Sequence, residues 1–304
     1  MSKNTQRTFR LFGALSAALA LTLSACGSSA SDAADTTVAA DSATETTVAS
    51  ASMFDSLPQS IKDAKKVTVG SDISYAPYES FGEDGKTPEG FDVDLANEVG
   101  KMLGVEFVFE NGSFDSLITG VEGGRYDVIL SGMTDNKDRQ AKIDFVDYQK
   151  SGFGILVKKG NPAAIKTPAD LCGKKVGLQA GTSQIDFVKA IECGEKPVAI
   201  SEFPSEDEAR LAVQSGRVDA DVADLPPMAH FVKTSATGAE FEIASTEQYE
   251  TGLLGMAVSK KLPELRDAVQ KAINEMMTNG TYDTLLAKWG LEATKIPEAT
   301  VNGG

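Results

Sequence analysis

The chain of 304 residues, 41% hydrophobic and 24% charged, has the composition of a folded protein of one or two domains. Its formal charge of −15 argues against nucleic acid, and against an electrostatically bound anionic surface, as partners. Acidity of this kind favours solubility and leaves the fold open.

Residues 1–25 read as a lipoprotein signal peptide. Lys3, Arg7 and Arg10 form a basic start, and the apolar run from Leu11 to Leu23 is short for a membrane span but suits an export signal. It closes on Leu23-Ser24-Ala25-Cys26, which resembles a bacterial lipobox; cleavage before Cys26 and its diacylation would follow. Two acyl chains hold a protein stably on a membrane where one does not. An ordinary signal peptide with a chance cysteine is the alternative. Residues 26–60, rich in Ala, Ser, Thr and Asp, are expected to form a disordered tether.

From Val67 the pattern alternates between strand and helix. Val67 to Gly70 reads as a first strand, running into Ser71-Asp72-Ile73-Ser74-Tyr75-Ala76-Pro77-Tyr78. Phe91 to Leu103 carries apolar residues at helical spacing, acids in its first turn and Gly104 after its end. Val105 to Phe109 reads as a strand, and Ser113 as the N-cap of a helix presenting Phe114, Leu117, Ile118 and Val121. A second series follows from Gly173. It holds strands at Lys175–Leu178, Val198–Ile200 and Val218–Ala223, helices reaching Ile191 and from Glu206 to Ser215, then strand Leu253–Val258 and helix Glu264–Asn279. Two α/β series, each ending in polar turns, predict two lobes with a cleft between them.

One strand end stands out. Gly123 to Arg139 runs from a glycine break through the apolar Tyr126–Leu130 to the small turn Ser131-Gly132-Met133-Thr134 and an arginine. Ligands of open α/β sheets sit at such strand ends, and the planar fork of Arg139 suits a carboxylate or phosphate. The opening Gly-Arg-x-Asp recurs at Gly216-Arg217-Val218-Asp219, this time leading to an acid, Asp224. A cation at one strand end and an anion at another could hold a zwitterion; equally, the repeat could mark a common helix-to-strand connection. Cys172 and Cys193, an even pair in an exported chain, predict a structural disulfide. His230 is the only histidine, so no zinc site, other metal or cofactor is expected, and a free catalytic cysteine would lack an obvious base.

From about Lys65 to Gly290 the chain resembles the bacterial extracellular solute-binding proteins of family 3, the polar amino-acid receptors of ABC importers. The carrying residues are Ser74-Tyr75-Ala76-Pro77-Tyr78-Glu79, Gly90-Phe91-Asp92-Val93-Asp94-Leu95-Ala96, Gly124-Arg125-Tyr126-Asp127-Val128-Ile129 and Arg139 with Ile143-Asp144-Phe145. They continue in Val176-Gly177-Leu178-Gln179-Ala180-Gly181-Thr182, Gly216-Arg217-Val218-Asp219-Ala220 and Gly280-Thr281-Tyr282. The resemblance implies an α/β, two-lobe periplasmic-binding-protein type II fold with two crossover hinge strands. Lobe one would hold residues 65–150 and 253–297, and lobe two 151–252. The crossovers fall near Lys150–Leu156 and Tyr249–Met256, where Gly152, Gly154, Gly252 and Gly255 would tolerate torsion changes on closure.

For the site, the resemblance implies that Arg139 takes the ligand α-carboxylate, with Ser131, Gly132, Met133 and Thr134 alongside; a surface ion pair is the alternative for Arg139. Asp224 would take the ammonium, unless it caps the turn that follows. Ser183 and Gln184 open a helix and could supply donors, although Thr182 or Ser183 could simply cap it. Tyr75 and Phe114 would sandwich the side chain, Phe114 also fitting a core-facing stripe. Gln179 stands where basic amino-acid binders often carry an apolar residue, whereas Asp72 matches an acid that contacts basic side chains, so the ligand stays open. The expected partners are an amino acid, a permease with its ATPase, and the membrane through the lipid anchor; the expected state is a monomer, with no nucleic acid bound. The alternatives are a cyclohexadienyl dehydratase-like enzyme, for which Glu79 is the one imaginable acid, and a sensory lipoprotein without a transporter.

Overall fold

The computed structural model describes residues Met53–Gly304, so the signal segment, Cys26 and most of the expected tether lie outside the described residues. The part of the tether inside them, residues 53–60, is folded instead. Met53 and Leu57 are buried with Ile61, in the core under helix α1 (Gln59–Ala64). Burial of these three apolar side chains in one core cluster offsets the polar composition around them.

The first lobe is built on strands β1 (Lys66–Ser71), β5 (Glu106–Asn111) and β6 (Val128–Ile129), with β1 parallel to both others. A short hairpin sheet, β2 (Ser74–Tyr75), β3 (Glu79–Phe81) and β4 (Pro88–Glu89), follows β1. Helix α2 (Phe91–Leu103) lays Phe91, Leu95, Val99 and Leu103 on the core and ends on Gly104 in the left-handed region, φ 68°. Helix α3 (Leu117–Glu122) is shorter than expected, because Phe114–Ser116 forms a tighter 3-10 turn. Ser113 does not cap it; its hydroxyl donates to Ser116 Oγ.

Helix α4 (Lys137–Gln140) leads into β7 (Asp144–Lys158), which with β12 (Tyr249–Val258) joins the lobes. The two run antiparallel. The Gly255–Val258 end of β12 pairs with Asp144–Asp147 of β7 and with β6, while the other half of β7 pairs with β10 (Ala220–Asp224) and β11 (Phe241–Ile243). The expected crossovers lie on these strands. Three of the four expected hinge glycines also stand in close approach to their neighbours. A Cβ at Gly152 would come 2.8 Å from Gln248 Cβ, one at Gly154 2.9 Å from Leu225, and one at Gly255 3.1 Å from Phe145. None of the four has a positive φ.

The second lobe carries β8 (Lys175–Gln179) parallel to β9 (Ala199–Phe203) and to β10, with helices α5 (Gln184–Lys189), α6 (Glu206–Gln214) and α7 (Leu225–Thr234). Cys172 and Cys193 are disulfide-bonded, their Cα atoms 5.2 Å apart. Helices α8 (Pro263–Asn279) and α9 (Thr281–Trp289) return to the first lobe. That lobe also takes in the tail beyond residue 297. Asp147 N–H donates to Thr300 O, and Val301 bridges Val146.

The repeated Gly-Arg-x-Asp turns play one local part. Asp127 accepts from Thr68 N–H at 2.8 Å and Asp219 from Lys175 N–H at 2.9 Å, each tying its turn to a neighbouring strand. The connection reading therefore holds for the motif, and the strands it starts run on to the residues below.

Candidate ligand-binding site

The carboxyl ends of β1, β6, β8 and β10 face one cavity between the lobes, the place the sheet architecture assigns to ligands. Lobe one contributes Asp72, Tyr75, Phe114, Ser131, Gly132, Thr134 and Arg139; lobe two contributes Gln179, Ser183, Gln184 and Asp224.

Arg139 is set by helix α4, whose N-cap Asn136 accepts the Arg139 backbone N–H at 3.0 Å. Its side chain is 8% exposed and lies 5.6 Å from the Phe114 ring centroid. Nη1 donates to Thr134 O at 2.7 Å and Nη2 to Gly181 O at 3.0 Å, one carbonyl from each lobe. No carboxylate among the described residues lies within the 4.0 Å of an ion pair, so the surface-pair alternative does not describe it. Burial pulls its pKa down to about 10, which leaves it charged at neutral pH.

Asp224 ends β10 and caps nothing: its side chain makes no bond to the helix that follows. Oδ2 accepts from Tyr75 Oη at 2.9 Å and from Gln184 Nε2 at 3.2 Å. Oδ1 is buried without a hydrogen-bond partner among the described residues. Burial raises the carboxyl to about 6. On the opposite wall Asp72 accepts from Ser74 Oγ at 2.7 Å and, across the cleft, from Gln179 Nε2 at 2.6 Å. Gln179 thus serves the acid directly, which favours the charged form of Asp72 against the burial that raises its pKa.

Four expectations are corrected. Met133 is 1% exposed and packs with Leu117, Val121 and Tyr126, away from the cavity, because alternation along the strand end turns it inward. The Gly132 N–H is not free for a ligand: it donates to Asp92 Oδ2 at 3.0 Å. The Ser131 hydroxyl is likewise spent, donating to Glu79 Oε1 at 2.8 Å while accepting from Asp72 N–H at 3.0 Å. Neither Thr182 nor Ser183 caps α5. Thr182 Oγ1 donates to Gln179 O, and Ser183 Oγ reaches Thr134 Oγ1 of the other lobe at 3.1 Å. What Gly132 does supply is room: at φ 52°, a Cβ there would come 3.0 Å from the Tyr78 ring.

Beneath the turn, Glu79 and Asp92 are fully buried, and Tyr148 Oη donates to Asp92 Oδ2 at 2.9 Å. Burial raises Asp92 to about 7, and burial followed by the charge of Asp92 pushes Glu79 well up, so the pair holds a proton at neutral pH. Glu79 does not line the cavity.

The sequence reading missed Val222 and Ala223, which line the cavity as backbone neighbours of Asp224, and Glu206. Glu206 begins α6 on the face that buries Ala209, Arg210 and Val213, a 3–4 spacing that marks it as inward-facing.

Two α/β lobes on paired crossover strands, with polar strand ends on a shared cleft, define the class of two-lobe solute-binding proteins. The chain belongs to the bacterial extracellular solute-binding proteins, family 3, whose family model matches residues 67–292. It is similar to the L-cystine-binding protein TcyJ of Escherichia coli (strain K12), with 33% identity over 238 residues, 77% of this chain and 86% of that one. An ancestral arginine-binding protein bound to arginine superposes with TM-score 0.69 at 35% identity, covering 74% of this chain and 98% of that chain. The ancestral amino acid-binding protein AncCDT-1, a precursor of cyclohexadienyl dehydratase, does so with TM-score 0.68 at 34% identity, over 76% and 97%.

Proposed function

We propose that this chain is the substrate-binding lipoprotein of an ABC importer, capturing a polar amino acid between its lobes by hinge closure. One observation carries the reading. In a single cavity, among the described residues, Arg139 is a buried cation served only by backbone carbonyls, and Asp224 is a buried acid with one oxygen unpartnered. An α-carboxylate on the first and an α-ammonium on the second would complete both. In this reading lobe one takes residues 65–150 and 253–304, and lobe two 151–252. Bonds such as Arg139 to Gly181 O and Ser183 to Thr134 would be made on closure, which favours the closed state when ligand adds to them. Lipidation at Cys26 would hold the chain, a monomer, on the outer face of the cell membrane, feeding a permease and its ATPase. Among the described residues no helix is long and apolar enough to cross a membrane.

The dehydratase-like reading needs a positioned acid in contact with substrate. Glu79 stands behind Ser131 and holds a proton jointly with Asp92, which favours binding over turnover. The decisive experiment is a thermal-shift screen of the exported form against all amino acids, followed by calorimetry, since a ligand that binds only the native state raises its melting temperature. If no amino acid does so, the receptor reading fails; turnover of a prephenate-type substrate would replace it with the enzyme. A neighbouring permease gene separates the importer from a transporter-independent sensor.

A further inference from the structure

Residues beyond 292 lie outside the match to the family model, yet they are firmly seated on lobe one. Helix α8 fixes Ala299: the Ala299 carbonyl accepts from Gln270 Nε2 at 3.0 Å and Asn274 Nδ2 at 3.1 Å, and its N–H donates to Asn274 Oδ1 at 2.9 Å. The chain then runs along the start of β7. Val146 pairs with Met256 of β12 on one side and bridges Val301 on the other. Asp147 N–H donates to Thr300 O at 2.9 Å, Asn302 N–H to Phe145 O at 3.1 Å, and Phe145 N–H to Asn302 Oδ1 at 2.8 Å. A bare strand edge is a row of unpaired backbone groups, and these contacts satisfy it.

From the sheet edge the segment turns onto two buried acids. Asp147 accepts from Thr300 Oγ1 at 2.7 Å and from Gly303 N–H at 3.0 Å, and Asp135 Oδ2 accepts from Gly304 N–H at 2.9 Å. Burial, with the charge of Asp135 added, pushes Asp147 up to about 6 against the donors Thr300 and Gly303. Gln140 completes the clasp: its Nε2 donates to Asp135 Oδ1 at 2.8 Å and to Gly304 O at 3.1 Å. Asp135 directly precedes the N-cap of α4, and Gln140 is its last residue, so Gly304 is tied to both ends of the helix that carries Arg139. A helix of four residues closes too few hydrogen bonds to hold itself in place, and its position is set from outside.

We propose that residues 300–304 form a strap that positions Arg139: by clasping Asp135 and Gln140 it fixes helix α4, and with it the guanidinium, at the cleft. This rests on the amino-acid receptor reading and adds to it an element that sets carboxylate affinity from behind the site. Thr134 and Arg139 stand on the cavity wall, and the strap reaches them through their chain neighbours Asp135 and Gln140. The glycines suit the seat. A Cβ on Gly303 would come 2.5 Å from Thr300 Oγ1 and 2.9 Å from Asp147 Oδ2, and one on Gly304 would collide with the Asp135 carbonyl.

The test is the ratio of affinities for the best amino acid and for its α-carboxamide, measured by calorimetry on the full chain. Gly303→Val combined with Gly304→Val leaves the strap no room, and Thr300→Val removes the hydroxyl that donates to Asp147; neither alters a charge. Amide hydrogen exchange over residues 300–304 should speed up in both. With Arg139 held less firmly, the acid-over-amide ratio should fall about fivefold or more, because small misplacements of a binding group are costly. Thr300→Ser keeps the hydroxyl and should stay within about twofold of the unaltered ratio. Should the glycine pair fail to fold, Thr300→Val against Thr300→Ser carries the test. A strap that served stability alone would lower the melting temperature and leave the ratio unchanged, and that result would overturn the inference while the receptor reading stands. Exchange that stays slow in both variants would overturn it too. If the unaltered protein binds no amino acid, the receptor reading falls and the inference with it.

Discussion

Replacing Arg139 by alanine tests the head-group assignment at its strongest point. The guanidinium is 8% exposed and donates to Thr134 O and Gly181 O, so its loss leaves two carbonyls short of a charged donor, each such bond contributing about 1.5–3 kcal/mol. Removing a desolvated cation that has no ion-pair partner among the described residues offsets much of this, and the melting temperature of the ligand-free protein should change little. Binding should change far more. An α-carboxylate left in the cleft without its cation costs roughly 2–5 kcal/mol, or about thirty- to several-thousand-fold in affinity. The assay is calorimetry with the best amino acid from the thermal-shift screen and with its α-carboxamide. The unaltered protein should prefer the acid to the amide by a large factor, and Arg139→Ala should lose that preference. A variant within about threefold of the unaltered affinity, or one that still discriminates acid from amide, would refute the role of Arg139.

Three further outcomes follow from the geometry. Burial raises Asp92 to about 7 and Asp147 and Asp224 to about 6, above the unfolded carboxylate value, so the folded chain binds the extra protons. Their contribution to stability is therefore largest near pH 4 and is lost as pH rises through about 6 to 7; melting scans should show a higher midpoint at pH 5 than at pH 8, and the reverse order would contradict the burial. Gly181 has φ 79°, and a Cβ there would lie 2.7 Å from the Asp115 Cα of the other lobe. Gly181→Ala should cost about 1 kcal/mol of stability and, by propping the lobes apart, weaken ligand binding at least tenfold or so; small-angle scattering at saturating ligand should show a less compact particle, and an unchanged radius of gyration would count against contact-limited closure. The Cys172–Cys193 bond closes a separation of 21 residues, worth about 3 kcal/mol of chain entropy, so reductant should lower the melting temperature measurably. Mass spectrometry of unreduced protein that finds two alkylatable thiols would remove the bond.

The residues that the sequence exposed are those whose role is local. Arg139 follows a small polar turn, the apolar run to Leu130 is a strand bounded by glycines, and Asp224 closes a run of strand residues; each can be read within a dozen positions because backbone geometry repeats at that scale. Periodicity likewise gave α2 its buried face and α8 its extent. What a side chain meets across the cleft is a long-range matter and left no local mark. Met133 and Ser131 are neighbours in one turn, yet one enters the core and the other spends its proton on Glu79, 52 positions away. Gln179 reads as an odd polar residue until Asp72, 107 positions distant, is placed against it. Glu206 reads as an acid favouring a helix N-terminus; only packing set it on a cavity wall, paired with Arg210. Local sequence determined the lobes' building units and the two head-group candidates, because strand ends and caps are short-range features. The side-chain end of the site was decided by tertiary structure, because polar contacts across a cleft join residues that meet only when both lobes are folded.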